Sequence, residues 1–344
     1  MPESAERLHR GRPAMSATRW SALVIITVAV MAGAFVAVNG SIDPMGLFHS
    51  RTRIVIYTNE RWSKYLLSIR YVPEQFDAVL VGTSVTGNWN TGFMQPLRTY
   101  NLSIEGGNIY EERLLLENVF KRRKPRVVLF CIHPYLTASY GRQTPYMTNR
   151  DYWSALGSLE LLKTYHARRR VERHVGRQEF NEFGQQDFKI PVRPWRAQAI
   201  AGGRWYVVDE RSFAEYGRLV ASARAAGSRV VAVVPPVNAE QWLYTADAYR
   251  EYQHRILTFF RGDELVIDFN TAPYDGLRGD RSNFPDGIHL SSTAADIFVK
   301  ELARLVRNGT DHPRGFRIAD SKTFQVPERT KRQSVERTAP GTIR

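Results

Sequence analysis

Five short apolar runs constrain the fold of this chain more than any other feature. They cover residues 78–82, 100–104, 126–132, 229–234 and 265–269. Several are unbroken stretches of Val, Leu and Ala, such as Ala-Val-Leu-Val and the Val-Val-Ala-Val-Val that follows Arg229, with no polar residue at every second place. A strand with one wet face alternates; a strand covered on both faces does not, and parallel strands flanked by helices are of the second kind. Amphipathic helical patterns fall between or after the runs, at 110–122, 212–226 and 291–306. The second is expected to start at a Ser212 cap and end at Gly227; the third starts with serines and ends before Gly309. Alternating strands and helices predict an α/β protein, three layers α/β/α around an open five-stranded parallel sheet. Ligands in such sheets bind beyond the carboxyl ends of the strands.

Residues 20–38 form an apolar stretch without a charge, about the length that crosses a bilayer as a helix. Arginines precede it, so residues 1–19 are expected to be a basic cytoplasmic N-terminus and 20–38 a single-pass anchor in the cytoplasmic (inner) membrane. The rest of the chain then lies on the extracytoplasmic, periplasmic side. A cleaved signal peptide is the rival reading, with Ala32, Gly33 and Ala34 as small residues at a cleavage site. Residues 39–75 read as a linker and lead-in, and 76–308 as the α/β domain. Within it, 136–205 interrupts the alternation as an insertion rich in Tyr, Trp, Arg and Gln, with one helical stretch near 159–175. Arg168, Arg169, Arg170, Arg173 and Arg177 gather there with Trp153, Trp195 and Trp205 nearby in sequence. Such a set could hold a sugar chain bearing carboxylates, or simply be a solvated helix and packing tryptophans. Residues 309–344 are polar and aperiodic, and read as a disordered basic tail.

The net charge is +14. A surface of that sign attracts anionic lipid, an acidic polymer or nucleic acid, and charge alone does not choose among them. Export of the body removes most of the case for nucleic acid, and none is expected as a partner. The single cysteine, Cys131, lies inside an apolar run, so a buried core thiol is expected. No cofactor is implied: no nucleotide fingerprint is present, Gly106-Gly107 is too short for a phosphate loop, and no cysteine–histidine cluster suggests a metal.

Two segments far apart carry the chemistry. Val-Gly-Thr-Ser-Val-Thr (81–86) places Ser84 just past the first strand, where Gly82 permits a tight turn and the next residues can start a helix with free N–H groups. Asp-Gly-Ile-His (286–289) places a carboxylate three residues before an imidazole at the start of the last helix. A histidine with an ordinary pKa of about 6.5 can take a proton from a serine and return it to a leaving group. Ser84, His289 and Asp286 are thus candidate nucleophile, base and orienter of an acyl-transfer site. The plainer alternatives are a serine capping a helix and a turn aspartate beside a surface histidine.

At these residues the chain resembles the SGNH, or GDSL-like, hydrolase superfamily, over roughly 76–308. Gly82-Thr83-Ser84 matches the family's Gly-Asp-Ser nucleophile block with Thr in place of Asp. Asn101-Leu-Ser-Ile-Glu-Gly106 matches Asn-x-Gly-x-x-Gly at its first and last positions, and Asp286 and His289 match the final Asp-x-x-His. The resemblance implies an oxyanion hole from the N–H groups of Ser84 and Gly106. It also implies an asparagine donor in a Gly-x-Asn-Asp block after the third strand, where this chain reads Cys131-Ile-His-Pro-Tyr135. Loss of such a donor costs about 3 kcal/mol. Asn108 or His133 is a candidate replacement, and His133 and Tyr135 are candidate substrate contacts. The anchored layout and degenerate blocks are similar to SGNH-like proteins that modify bacterial envelope polymers, including alginate O-acetylation proteins and those of teichoic acid D-alanylation.

Two functions follow. One is a serine esterase or O-acyltransferase acting on an acyl ester of an extracytoplasmic glycan, with an acylated or acyl-accepting glycan and envelope biosynthesis proteins as partners. The other is an inactive SGNH-like envelope protein that binds a glycan or an assembly partner. A binding module has no need of all three triad residues together.

Overall fold

The computed structural model describes residues 16–43, 45–49, 60–138, 147–156, 159, 180–186, 190, 192–197, 199 and 208–311. In chain order these form α1 (Ala17–Ile42), α2 (Glu60–Ile69), α3 (Tyr71–Gln75), β1 (Ala78–Val81), a single turn α4 (Ser84–Gly87) and β2 (Thr99–Asn101). Next come α5 (Ile109–Arg122), β3 (Val127–Cys131), α6 (Asn149–Leu156), α7 (Glu210–Ala225), β4 (Arg229–Val234) and α8 (Ala239–Ile256). The chain closes with β5 (Leu265–Asp268), α9 (Asp275–Gly279) and α10 (Ser292–Asp311).

The five strands pair in the order β2-β1-β3-β4-β5, all parallel. Their side chains divide by parity, apart from Cys131 at the end of β3, which joins the same core as Phe130. Val79, Val81, Val128, Phe130, Val230, Ala232 and Val266 enter one core with α2, α3, α5, α7 and α8. Ala78, Leu80, Val127, Leu129, Val231, Val233, Leu265 and Ile267 enter another, covered by α10 through Phe298, Val299, Leu302 and Val306. Both faces are therefore dry, which is why the strand sequences do not alternate. At roughly 1.5–3 kcal/mol per fully buried large apolar side chain, these two cores dominate the favourable side of folding.

Helix ends follow local chemistry, with three departures from expectation. The cap of α7 is Asp209, not Ser212: its carboxylate accepts from the Ser212 N–H at 3.0 Å and the Ser212 hydroxyl at 2.6 Å, so the helix starts earlier. Its end at Gly227 is as expected, with φ +85°. Helix α10 runs through Gly309 to Asp311, into the stretch expected as tail. A Cβ at Gly309 would lie 3.1 Å from Leu265 and 3.0 Å from Arg229, so this glycine serves close packing inside a helix rather than ending one. Helix α8, capped by Asn238, has no counterpart in the patterns read from sequence. Its buried stripe is aromatic and polar (Tyr249, Tyr252, Gln253, Ile256) and does not stand out as an apolar period.

The stretch 39–75, expected as linker, contains packed elements. Met45 and Leu47 are buried in the first core, and α2 and α3 lie within 60–75. Apart from residue 159, the expected helical stretch near 159–175 lies with its arginines outside the described residues, as do Trp205, 1–15 and 312–344. Helix α1 contains the whole of 20–38 and is long and apolar enough to cross a membrane, with a mean hydropathy of 2.5. Cys131 is fully buried.

Candidate active site

In a 2-1-3-4-5 sheet the chain leaves β1 toward one edge and β3 toward the other, opening a crevice between their carboxyl ends. Ser84 follows β1 and His133 follows β3, on the two sides of that crevice.

Ser84 is the first residue of α4, after Thr83 in extended conformation. A parallel bridge from Thr83 to Ile104 carries the β1–β2 pairing three residues past its last strand pair, Leu80 with Asn101. Gly82 is required here for space, and its φ is not in the left-handed region: a Cβ would lie 2.2 Å from Thr86 Oγ1 and 2.9 Å from both Cys131 and Ser103. Thr86 and Ser103 hydroxyls share a hydrogen bond of 2.8 Å through that gap. Asn101, fully buried, donates its amide to the carbonyls of Thr86 (2.7 Å), Gly87 (3.3 Å) and Trp89 (3.1 Å), and accepts from the Ser103 N–H. One side chain thus fastens the serine turn to the second loop. Asn88 donates to the Leu290 carbonyl at 2.6 Å and fastens the same turn to the histidine loop.

That histidine loop is anchored on both sides by Phe284 and Leu290, buried in the second core. Between them Asp286 Oδ1 accepts from the Ile288 and His289 N–H groups at 2.9 and 2.8 Å, and Gly287 supplies the positive φ (+84°) this turn needs. Asp286 Oδ2 lies 2.7 Å from His289 Nδ1, and His289 Nε2 lies 2.9 Å from Ser84 Oγ. Burial pushes the Asp286 carboxyl up, but its bonds to the His289 ring and to the two backbone N–H groups outweigh that and hold it down at about 2. It is therefore an anion throughout the neutral range, accepting the Nδ1 proton and leaving Nε2 as the basic nitrogen toward Ser84.

Gly106 sits in left-handed conformation (φ +59°) at the tip of the second loop. Arg61 of α2 donates to the carbonyls of Glu105 (2.8 Å) and Gly106 (3.0 Å) and pairs with Glu111 at 2.9 Å. Fully buried Lys64 donates to the Ser103 carbonyl, and Glu60 accepts from the Glu105 N–H. Asn108 caps α5: its side-chain oxygen accepts from the Tyr110 and Glu111 N–H groups, and Glu111 answers in a capping box. Its position in the loop is thus explained by the helix start.

His133 lies at the end of β3, where three tyrosines hold successive carbonyls: Tyr216 on Cys131, Tyr249 on Ile132 and Tyr252 on His133, at 3.1–3.2 Å. Its Nδ1 accepts from the Tyr135 N–H at 3.4 Å. Burial, with the neighbouring His289 charge, pushes its pKa down to about 3. The ring is therefore neutral, and with Nδ1 an acceptor the proton resides on Nε2. His133 lines a pocket with Val85, Pro235, Val237, Tyr249 and Ile288, so it opens beside the neighbours of both Ser84 and His289. The Tyr135 hydroxyl stands at the Gly106 loop, 3.7 Å from where a Cβ on that glycine would be. Sequence motifs pointed to Ser84, Gly106, Asp286 and His289; they did not point to Arg61, Lys64 or the three tyrosines, which act from helices that carry no motif. Among the described residues no group of three or more His, Cys, Asp or Glu is placed to hold a metal ion.

No protein-family model matches the chain. No curated protein matches it either. Among solved structures, a GDSL-like lipase from Bacteroides thetaiotaomicron is 11% identical over 70% of this chain and 90% of its own, with a TM-score of 0.35. A catalytic mutant of an acetylxylan esterase from Geobacillus stearothermophilus is 13% identical over 69% and 95%, with a TM-score of 0.37. A lipase/acylhydrolase from Enterococcus faecalis is 11% identical over 67% and 95%, with a TM-score of 0.36. At TM-scores this low the likeness lends nothing to the reading of this chain. Its fold stands on its own strand order, and its site on its own distances.

Proposed function

We propose that this protein is a serine esterase or O-acyltransferase of the SGNH type, working through an acyl-serine. The observation that carries the reading is the unbroken chain Ser84 Oγ, His289, Asp286, at 2.9 and 2.7 Å, on the carboxyl edge of a parallel sheet. Ser84 attacks the acyl carbon as His289 Nε2 takes its proton; Asp286 holds the imidazolium that forms. The N–H groups of Ser84 and Gly106 stabilise the oxyanion. His133 Nε2–H stands in for the asparagine donor that the family resemblance implies after β3. His289 then gives its proton to the leaving alcohol. Water or a sugar hydroxyl, activated by the same histidine, takes the acyl group from Ser84 in the second half. The natural ester is one on a glycan outside the cytoplasmic membrane, reached by a body tethered through α1. The aromatic and basic composition of 136–205 supports a carbohydrate partner.

The test uses the full chain in detergent with p-nitrophenyl acetate. Intact mass should show an acetyl adduct, or turnover should be measurable, and both should vanish in Ser84→Ala. Equal background release by both proteins, with no adduct, would sink the enzyme reading in favour of a binding module.

A further inference from the structure

Helix α1 meets the folded body without slack. Residues 17–38, exposed apart from half-buried Phe35, are about 33 Å long at 1.5 Å per residue, close to the roughly 30 Å hydrocarbon thickness of a bilayer. Beyond it Asn39 is buried, and α1 packs against α6. Asp43 then turns the chain in left-handed conformation (φ 43°), its N–H bonded to the Asn39 carbonyl. Its carboxylate, itself buried, accepts from the N–H groups of Leu47, Phe48 and His49 at 2.6, 2.8 and 2.6 Å. Met45 and Leu47 follow directly into the first core. A helix spanning the bilayer would therefore set the body at the level where the hydrocarbon ends, with α6 at that level.

The surface of α6 suits this place. Ala155 is buried and Tyr152 packs on the first core, while Arg150, Trp153 and Ser154 face outward. Trp153 is 68% exposed, with the Tyr152 ring edge against it at 5.2 Å. Trp, Tyr and Arg together favour the lipid headgroup layer, where an apolar ring and a polar or charged end are both accommodated.

We infer that α6 is a second membrane contact, lying on the lipid surface with Trp153 among the headgroups and Arg150 at phosphate level. The body is thereby held at one orientation to the bilayer instead of swinging on a tether. The occupant of this face is lipid.

The test places the full chain in vesicles of phosphatidylcholine and phosphatidylglycerol. Cys131 is buried, so Trp153→Cys offers one accessible thiol for a polarity-sensitive nitrobenzoxadiazole label. Leu243→Cys on α8, 67% exposed, is the reference. The label at 153 should emit further to the blue and be quenched at least about twofold more by a lipid spin-labelled near its headgroup. Ser154→Cys keeps the tryptophan and should behave like position 153. Equal emission and quenching at 153, 154 and 243 in a chain that floats with the vesicles would overturn the inference while leaving the anchor. A chain that does not float would overturn it at its premise. Neither result bears on the esterase reading, which is tested separately.

Discussion

His133 shows how one residue's environment sets its chemistry. Its ring is neutral because it is buried, and its tautomer is set because the Tyr135 N–H occupies Nδ1. In its proposed role as an oxyanion donor it should be replaceable by the asparagine of the family pattern. His133→Asn should keep kcat within about tenfold of wild type, while His133→Leu should lose on the order of 10²-fold in kcat with KM little changed. Steady-state kinetics on p-nitrophenyl acetate decides this. The same burial has a consequence for stability. The folded pKa of about 3 lies below the unfolded value near 6.5, so the unfolded chain binds the proton first as pH falls. The stability from neutral His133 is complete above about pH 6.5 and is lost progressively on going down toward pH 3. Between pH 6.5 and 5 the loss is about 2 kcal/mol. Denaturant titrations at the two pH values should show it in wild type and show it reduced in His133→Asn.

At the scale of elements, the site is a set of loops held from behind by helices. Helix α2 contributes no group to the chemistry, yet Arg61, Lys64 and Glu60 fasten the loop that carries Gly106. Arg61 is a positioning residue. Arg61→Ala should lower kcat by roughly tenfold while leaving KM for p-nitrophenyl acetate nearly unchanged, because the Gly106 N–H, in its proposed role, acts mainly on the developing oxyanion. Equal loss in a variant of Arg70, which pairs with Glu74 on the same side of the fold, would reduce the Arg61 effect to general stability. The strands that position these loops were legible as five apolar runs. Their observed ends differ from expectation by up to three residues, most at β2, which stops at Asn101 instead of 104, because pairing to a neighbour, not composition, ends a strand. Helix α8 was not legible, since its buried face is made of tyrosines and amides whose burial depends on partners such as the Ile132 and His133 carbonyls.

For the molecule as a whole, the apolar helix and the body are one packed unit at their junction. A chain starting near residue 36 keeps the Asp43 elbow and its neighbours, whereas one starting at residue 50 loses Met45 and Leu47 from the core. At about 2–5 kcal/mol for each such side chain, the shorter form should be less stable by at least about 4 kcal/mol and melt on the order of 10 °C lower. Thermal scans of the two forms compare them directly, and equal midpoints would mean that the elbow is only a tether.

What the sequence determined by itself is what neighbouring residues settle among themselves. The unbroken apolar runs required strands dry on both faces. The spacing of Asp286 and His289 was enough to join a carboxylate to an imidazole through one turn at Gly287. The uncharged stretch 20–38 made a long apolar helix. Tertiary structure alone decided the rest. Ser84 and His289 are 205 residues apart and 2.9 Å from each other. The demand on Gly82 comes from Thr86, Cys131 and Ser103, not from its own φ. The state of His133, the hold of Arg61 on the Gly106 loop and the seat of α1 on α6 are likewise contacts across the fold. Local patterns encode hydrogen bonds and periodicity over a few residues; which loops meet at the crevice depends on how the crossover helices pack on the sheet, and no short stretch of sequence carries that.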